Sequence, residues 1–235
     1  MTPQDTYTRR GFLGAAAAVG GGLLLGAQTH PARAAAAAMQ PVPRQQVSPA
    51  EDLMSEHGVL ERLLLVYDAS ASQFDAGQAL PADSIRETGE LIRSFIEDYH
   101  EKLEEQHVFP LFEKAGREVQ LVEVLRAQHQ AGRTVTDEIR ELLRDDPLRL
   151  SEEIAQSMRA FVRMYRPHAA REDTVLFRVL REVMSPQAYL EMGETFEQTE
   201  DKLFGEGGFG KILERVVSIE KAMGINDLAQ FTPVV

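Results

Sequence analysis

The sequence predicts an all-α protein built on an up-down-up-down four-helix bundle with a short C-terminal helical extension. Apolar residues recur every three or four positions through four long segments, the spacing of a buried helix face. No segment alternates between apolar and polar residues for long enough to form a strand. Short connections between the segments are typical of antiparallel neighbouring helices. The 235 residues, 43% of them hydrophobic, suffice for one large domain with extensions.

The pattern of residues 1–34 predicts an export signal that is not part of the folded domain. Arg9 and Arg10 precede a mildly apolar run rich in Gly and Ala, and Ala32-Arg33-Ala34 offers a small-x-small cleavage site. This pattern resembles a twin-arginine signal. The run is too short and too often interrupted by glycine to act as a stable membrane anchor. We therefore expect the twin-arginine export machinery as a partner and a periplasmic or otherwise exported location.

The first helix is expected from about Pro49 to Ala71, after a flexible leader over 35–47. Ser48 is the predicted N-cap, and Glu51 at the third position completes a capping box. Its predicted buried face comprises Leu53, His57, Leu60, Leu64 and Tyr67.

The second helix is expected from a cap at Asp83 or Ser84 to about Ala115. Pro110 should kink its last turn, and Gly116 suits its C-terminal end. Its predicted inward face comprises Ile92, Phe95, Ile96, Tyr99, His100, Leu103, Glu104 and His107.

The third and fourth helices are expected over about 117–143 and 151–184. The inward face of the third comprises Val122, Leu125, His129, Gly132, Thr136 and Ile139. That of the fourth comprises Ile154, Met158, Phe161, Tyr165, His168 and Glu172. Pro167 lies within the fourth helix and predicts a kink beside His168. The bundle is thus predicted over 48–184, and residues 185–235 are expected to form a helical cap with a short helix around 211–223.

One pattern occurs twice, as His100-x-x-x-Glu104 and as His168-x-x-x-Glu172. Residues four apart on a helix lie on the same face, so each pair can reach one metal site.

Two further histidines, His57 and His129, stand alone in the first and third helices. Counting about 1.5 Å of rise per residue from the helix ends brings all four histidines to one level of the bundle. Four imidazoles and two carboxylates suit iron or manganese, and each carboxylate is able to bridge two ions. We predict His57, His100, Glu104, His129, His168 and Glu172 as metal ligands.

Composition excludes several other functions. The net charge of −12, without a basic stripe, argues against a nucleic-acid partner. The absence of cysteine excludes disulfides, thiolate metal sites and a cysteine nucleophile.

At these residues the chain resembles the hemerythrin-like, or HHE cation-binding, family. The resemblance rests on four stretches: His57-Gly58; His100 to Glu105 running into Val108-Phe109-Pro110; the lone His129; and His168 to Asp173 running into Leu176-Phe177. It implies a non-haem di-iron centre, here two iron ions bridged by Glu104 and Glu172, with manganese as the other candidate. It also implies a small gas or peroxide ligand that is bound or reduced, such as oxygen, peroxide or nitric oxide. A non-catalytic module for iron storage or sensing is the alternative.

Two positions depart from the oxygen-carrying members of that family. Their fifth histidine, four residues after the one matching His129, is replaced by Arg133. They use an aspartate five residues after the last histidine, which would be Asp173 here. We favour Glu172 because it mirrors Glu104, and keep Asp173 as the alternative. The four-His, two-Glu set looks more like the iron–sulfur-repair and iron-sensing branches.

Four nearby residues carry weaker expectations. Glu101 and Glu105 fall off the predicted metal face and are expected to be solvated. His107 lies on that face about 10 Å further along, as a partly exposed residue or as part of an entry path. Gly132 either opens room for a small ligand or lets helices approach each other.

Overall fold

The computed structural model describes residues 48–145 and 151–233. These residues form six helices: α1 (Pro49–Asp75), α2 (82–115), α3 (Val119–Asp145), α4 (151–182), α5 (Pro186–Phe204) and α6 (Gly208–Met223). A 3-10 turn, Leu228–Phe231, follows α6. No strand occurs in the described ranges, so the all-α prediction is confirmed.

Two of the helices change their winding along their length. In α2 the successive parts are Ala82–Leu91, a π-helical stretch Ile92–His100, Glu101–Leu103, a π-helical turn Glu104–Val108, and Phe109–Ala115. In α4 they are Ser151–Arg171, a π-helical turn Glu172–Leu176, Phe177–Val179, and the 3-10 turn Leu180–Glu182.

A π-helical turn begins at each of the two glutamates of the repeated motif. The backbone N–H of Phe109 donates to the carbonyl of Glu104, and that of Phe177 donates to the carbonyl of Glu172. Pro167 lies inside the α-helical part of α4, and the change in winding starts at Glu172. Isolated π-helical turns are uncommon and are found often at functional sites.

Several helix ends follow the predicted sequence signals. Ser48 and Glu51 form the predicted capping box, and Gly116 adopts a left-handed conformation (φ 64°) after α2. The prediction that Asp83 or Ser84 caps α2 is wrong. The helix begins at Ala82 with Pro81 at the N-cap position and no side-chain cap, so Asp83 already lies inside the first turn, where its carboxylate pairs with Arg86.

The predicted inward faces form the core. Every residue assigned to them is buried apart from His107, which is half-buried. Among residues 48–145 and 151–233, no helix is both long enough and apolar enough to cross a membrane. The predicted export signal and leader, over 1–47, fall outside the described residues.

The C-terminal extension comprises two helices, of 19 and 16 residues, in place of the one short helix predicted. Ser185 caps α5 and Pro186 follows it, the same Ser-Pro signal that starts α1. The rings of Phe204 and Phe209 lie against Phe95 of α2. The guanidinium of Arg62 donates two hydrogen bonds to Glu220, which ties α6 to α1. The extension therefore packs along the same helices that carry the histidines.

Candidate metal centre

The structure brings all six predicted ligands together in two buried triads. His57, His100 and Glu104 form one, and His129, His168 and Glu172 form the other. In each triad one potential ligand atom per residue lies within 4.8 Å of the others. None of the six residues exposes more than 3% of its surface. We call these sets the first and second triads.

The ligand atoms of the second triad are close enough together to hold one ion. The Nε2 atoms of His129 and His168 are 3.2 Å apart, and His168 Nε2 lies 3.0 Å from Glu172 Oε2. Two donors about 2.1 Å from one metal, at right angles, are separated by about 3 Å.

Each glutamate also reaches the other triad. Glu104 Oε1 lies 3.7 Å from His100 Nε2, while its Oε2 lies 3.4 Å from His129 Nε2. Glu172 Oε2 lies 3.0 Å from His168 Nε2 and 3.4 Å from His57 Nε2. Both carboxylates therefore lie between the triads, the arrangement that two bridging ligands require.

All four histidines turn Nε2 inward because Nδ1 is engaged elsewhere. The Nδ1 atom of His57 pairs with Asp173 (2.7 Å), and that of His100 with Glu56 (2.6 Å). The Nδ1 atom of His129 pairs with Glu105 (3.2 Å), and that of His168 with Gln128 (2.9 Å). Hydrogen bonding of this kind fixes the ring orientation and tautomer of metal-binding histidines.

An approximate two-fold relationship follows from these contacts. Glu56 and Gln128 each precede a lone histidine in sequence, and each pairs with the histidine of a repeated motif. Glu105 and Asp173 each follow a glutamate of the motif, and each pairs with the lone histidine of the opposite half.

Two phenylalanines obey the same symmetry. Phe109 stacks on His129 and Phe177 stacks on His57, both with ring centroids 5.5 Å apart. Each phenylalanine is five residues after a glutamate of the motif, at the end of its π-helical turn. Each π-helical turn thus places three groups on one helix: the glutamate of the motif, the acid that accepts from a lone histidine, and the phenylalanine that stacks on that histidine.

The carboxylates are poorly compensated by protein donors. Both oxygens of Glu104 and of Glu172, and Nε2 of His57, are buried without a hydrogen-bond partner. Burial and repulsion from Glu172 raise the pKa of Glu104 well above its usual range. Burial acts on Glu172 as well, but the imidazoles of His168 and His57 outweigh it and lower its pKa. Cations held by the two triads would compensate these atoms, so the residues fit a metal.

Imidazole protonation also bears on ligand capacity. Burial lowers the pKa of His129 to about 4 and lowers that of His100, so both rings are neutral at pH 7. Burial also lowers the pKa of His57, but Asp173 and Glu172 outweigh that effect and raise it to about 9. A metal at His57 must therefore displace a proton.

The expectation that Glu101 and Glu105 are solvated is wrong. Glu101 is 1% exposed, accepts a hydrogen bond from Tyr165 (2.6 Å), and pairs with Arg133 (2.6 Å). Glu105 is half-buried and pairs with His129, Arg133 (2.7 Å) and Lys102. Neighbouring helices fill the space on that side of α2. Glu101, Glu105 and His129 are close enough to hold an ion, but the Arg133 guanidinium already supplies the positive charge there.

Gly132 provides a close approach and leaves no room for a ligand. A Cβ atom there would lie 2.0 Å from the Tyr165 hydroxyl, so the phenol fills the space. His107 lies away from both triads, with its ring against Phe196 of α5 (5.9 Å between centroids).

The residues that sequence reasoning missed are the acceptors Glu56, Glu105 and Gln128, together with the pair Glu101 and Tyr165. A sequence signal existed for two of them, since Glu56 and Gln128 both directly precede a lone histidine.

Comparison with known proteins agrees with this geometry. The model of the hemerythrin HHE cation binding domain matches residues 48–195, which include all six residues of the triads. Uncharacterized proteins of Mycobacterium tuberculosis and Mycobacterium bovis are each 43% identical over 241 residues, covering 99% of this chain and 94% of theirs. No solved structure matches the chain significantly. The chain therefore belongs to the hemerythrin HHE cation-binding family, whose domains bind metal ions, typically iron.

Proposed function

We propose that this protein is an exported, non-haem di-iron protein that binds or reduces a small oxidant such as oxygen, peroxide or nitric oxide. In this proposal helices α1 to α4 run up-down-up-down around the centre. The first triad would hold one iron, the second triad would hold the other, and Glu104 and Glu172 would be the residues shared between them.

One observation carries the proposal. Each buried glutamate lies within 3.7 Å of a histidine Nε2 atom in both triads. If the triads were two separate single-metal sites, each glutamate would be expected to lie near the histidines of its own triad alone. Two shared carboxylates favour a paired centre. Imidazole and carboxylate ligands without thiolates suit iron, and manganese is the other candidate.

When bound, a pair of iron ions supplies electrons and exchangeable coordination positions to a small oxidant. The protein's part is to hold and enclose the pair. Phe109 and Phe177 cover the lone histidines with apolar surface. All six residues are almost completely buried, so only a small molecule has access without large rearrangement.

Arg133 supports reaction rather than reversible oxygen carriage. Guanidinium is not a metal ligand, because it remains protonated and has no acceptor. Its pairing with Glu101 and Glu105 holds it beside His129, where it stabilises the acceptor of that ring. Each iron would then be held by two histidines and the shared carboxylates, without a fifth histidine to occupy a further position.

The experiment is to reduce the iron-loaded protein under anaerobic conditions and mix it with air, peroxide or nitric oxide in a stopped-flow spectrometer. We expect irreversible oxidation in air, faster consumption of peroxide or nitric oxide than by free iron, and no recovery when oxygen is removed. A persistent oxygen complex that reverses on degassing would contradict the proposed reactivity. Tight iron binding with no oxidant consumption would favour storage or sensing.

Export is a separate part of the proposal and rests on residues 1–34. The test is to express the full chain with Arg9 and Arg10 intact, or both changed to Lys, and to assay cell fractions. We expect the unchanged chain outside the cytoplasm and the double variant retained within it. Equal distribution of both chains would contradict twin-arginine export.

A further inference from the structure

The two triads differ in the groups that accept hydrogen bonds from their histidines. In the first triad both acceptors are carboxylates, Glu56 for His100 and Asp173 for His57. In the second triad the acceptor for His168 is the neutral amide of Gln128. Glu56 and Gln128 occupy equivalent positions under the approximate two-fold symmetry, so the two halves differ in charge at one corresponding position.

Glu105, the other acceptor of the second triad, is also a weaker hydrogen-bond acceptor than an unshared carboxylate. Glu105 accepts from His129 but shares its carboxylate with the cations of Arg133 and Lys102, both at 2.7 Å. Those positive charges draw electron density away from the imidazole. Burial raises the pKa of Glu105, but the hydrogen bonds from His129, Lys102 and Arg133 outweigh that effect and lower it.

An acceptor's charge changes the donor strength of an imidazole. A carboxylate on Nδ1–H pulls on that proton and makes Nε2 a stronger base and a stronger metal ligand. An amide oxygen forms a weaker, uncharged hydrogen bond and has less effect. The histidines of the first triad should therefore bind a cation more firmly than those of the second.

We infer that the two metal positions differ in affinity and that the first triad fills before the second. The reason is that Glu56 occupies the position that corresponds to Gln128 in the other half of the bundle. The inference rests on the proposed paired centre and adds an order of filling. A protein of this kind passes through a stable state with one ion in the first triad and the second triad ready for another. Glu56 is a positioning and tuning residue that acts through His100.

The test is anaerobic titration of the protein with cobalt(II), followed by visible absorption, using the exchanges Glu56→Gln and Gln128→Glu. We expect two binding steps in the unchanged protein, separated by at least about 10-fold in affinity. Glu56→Gln should weaken the first step about 10-fold, and Gln128→Glu should strengthen the second. A gain of affinity from Gln128→Glu is not explained by a merely structural role.

Single-triad backgrounds assign each step to its position. His129→Ala removes a ligand from the second triad, and His57→Ala removes one from the first. Glu56→Gln should weaken cobalt binding in the His129→Ala background and leave it unchanged in the His57→Ala background. Circular dichroism checks that each variant is folded.

The outcomes separate this inference from the proposed function. Two equal binding steps in the unchanged protein, or no effect of Glu56→Gln with His129→Ala, would overturn the order of filling and leave the paired centre intact. A folded, unchanged protein that binds no cobalt would contradict the paired centre itself.

Discussion

The Nδ1 atom of His57 lies 2.7 Å from Oδ1 of Asp173, the residue directly after Glu172. Asp173 thus faces the outer nitrogen of the ring, while Glu172 lies between two Nε2 atoms. The two acids that the sequence leaves open as ligands therefore occupy different layers. In the proposed paired centre, Glu172 is therefore the bridging residue and Asp173 is the hydrogen-bond acceptor of His57.

This assignment predicts different losses of metal. Asp173→Ala should lower iron affinity by about 10-fold but retain two ions per chain when iron is in excess. Glu172→Ala should lose the pair, because one bridge remains for two ions. Equilibrium dialysis over a range of iron concentrations measures both variants. The reverse pattern, with the pair lost in Asp173→Ala and kept in Glu172→Ala, would show that the aspartate is the bridge.

Replacement of single histidines tests the other ligands. His57→Ala, His100→Ala, His129→Ala and His168→Ala should each reduce bound iron, since each removes an Nε2 atom from a triad. His107→Ala is the matched control, because its ring contacts Phe196 and lies in neither triad. Elemental analysis of the five purified variants gives the comparison. Equal loss from His107→Ala would mean that the ligand set is wrongly assigned.

Periodicity predicted the helices and the layer of histidines well, because burial of a helix face imposes a three-to-four spacing that the sequence records. The inward positions of α1, such as Leu53, Leu60 and Tyr67, are buried as expected. A shared level for the histidines followed from counting the residues between helix ends.

The residues around the histidines could not be predicted, because their positions depend on contacts between helices. Glu101 has the charge and sequence neighbours of a solvated residue, yet Tyr165 and Arg133 from two other helices enclose it. The π-helical turns at Glu104 and Glu172 shift the register by one residue, which the ideal 3.6-residue period does not anticipate. Which residue accepts from each Nδ1 atom depends on those shifts.

Gly132 offers a test of packing near the second triad. Gly132→Ala places a Cβ atom against the Tyr165 ring and hydroxyl, and should destabilise the protein by about 1–3 kcal/mol. Gly58→Ala is the control, since no atom lies within 4 Å of an added Cβ there, and it should stabilise by about 0.5–1 kcal/mol. Urea denaturation measures both. In a Tyr165→Leu background the cost of Gly132→Ala should shrink, and an unchanged cost would argue against this contact.

The buried carboxyl of Glu97 should make the stability of the protein depend on pH. Burial raises its pKa, although the Thr136 hydroxyl and the cations of Arg93 and Arg133 act in the opposite direction. A carboxyl with a raised folded-state pKa contributes stability that is fully present below its unfolded pKa and is lost as pH rises through the folded value. The stability of the unchanged protein relative to Glu97→Gln should therefore fall as pH rises from about 4.5.

Urea denaturation of the two proteins between acid and neutral pH measures this difference. Thr136→Val should steepen the fall, because it removes the 2.6 Å hydrogen bond that favours the Glu97 carboxylate. A stability difference that grows with pH would contradict the buried, raised pKa.

Metal stoichiometry is the most direct test of the paired centre. The chain, produced with excess iron and freed of loosely bound metal by gel filtration, is analysed for iron and protein in the same sample. The account predicts two iron ions per chain in the unchanged protein and at most one in Glu104→Ala, because Glu104 is adjacent to a histidine of each triad. A folded, unchanged protein that retains neither iron nor manganese, or one that retains two ions after Glu104→Ala, would contradict it.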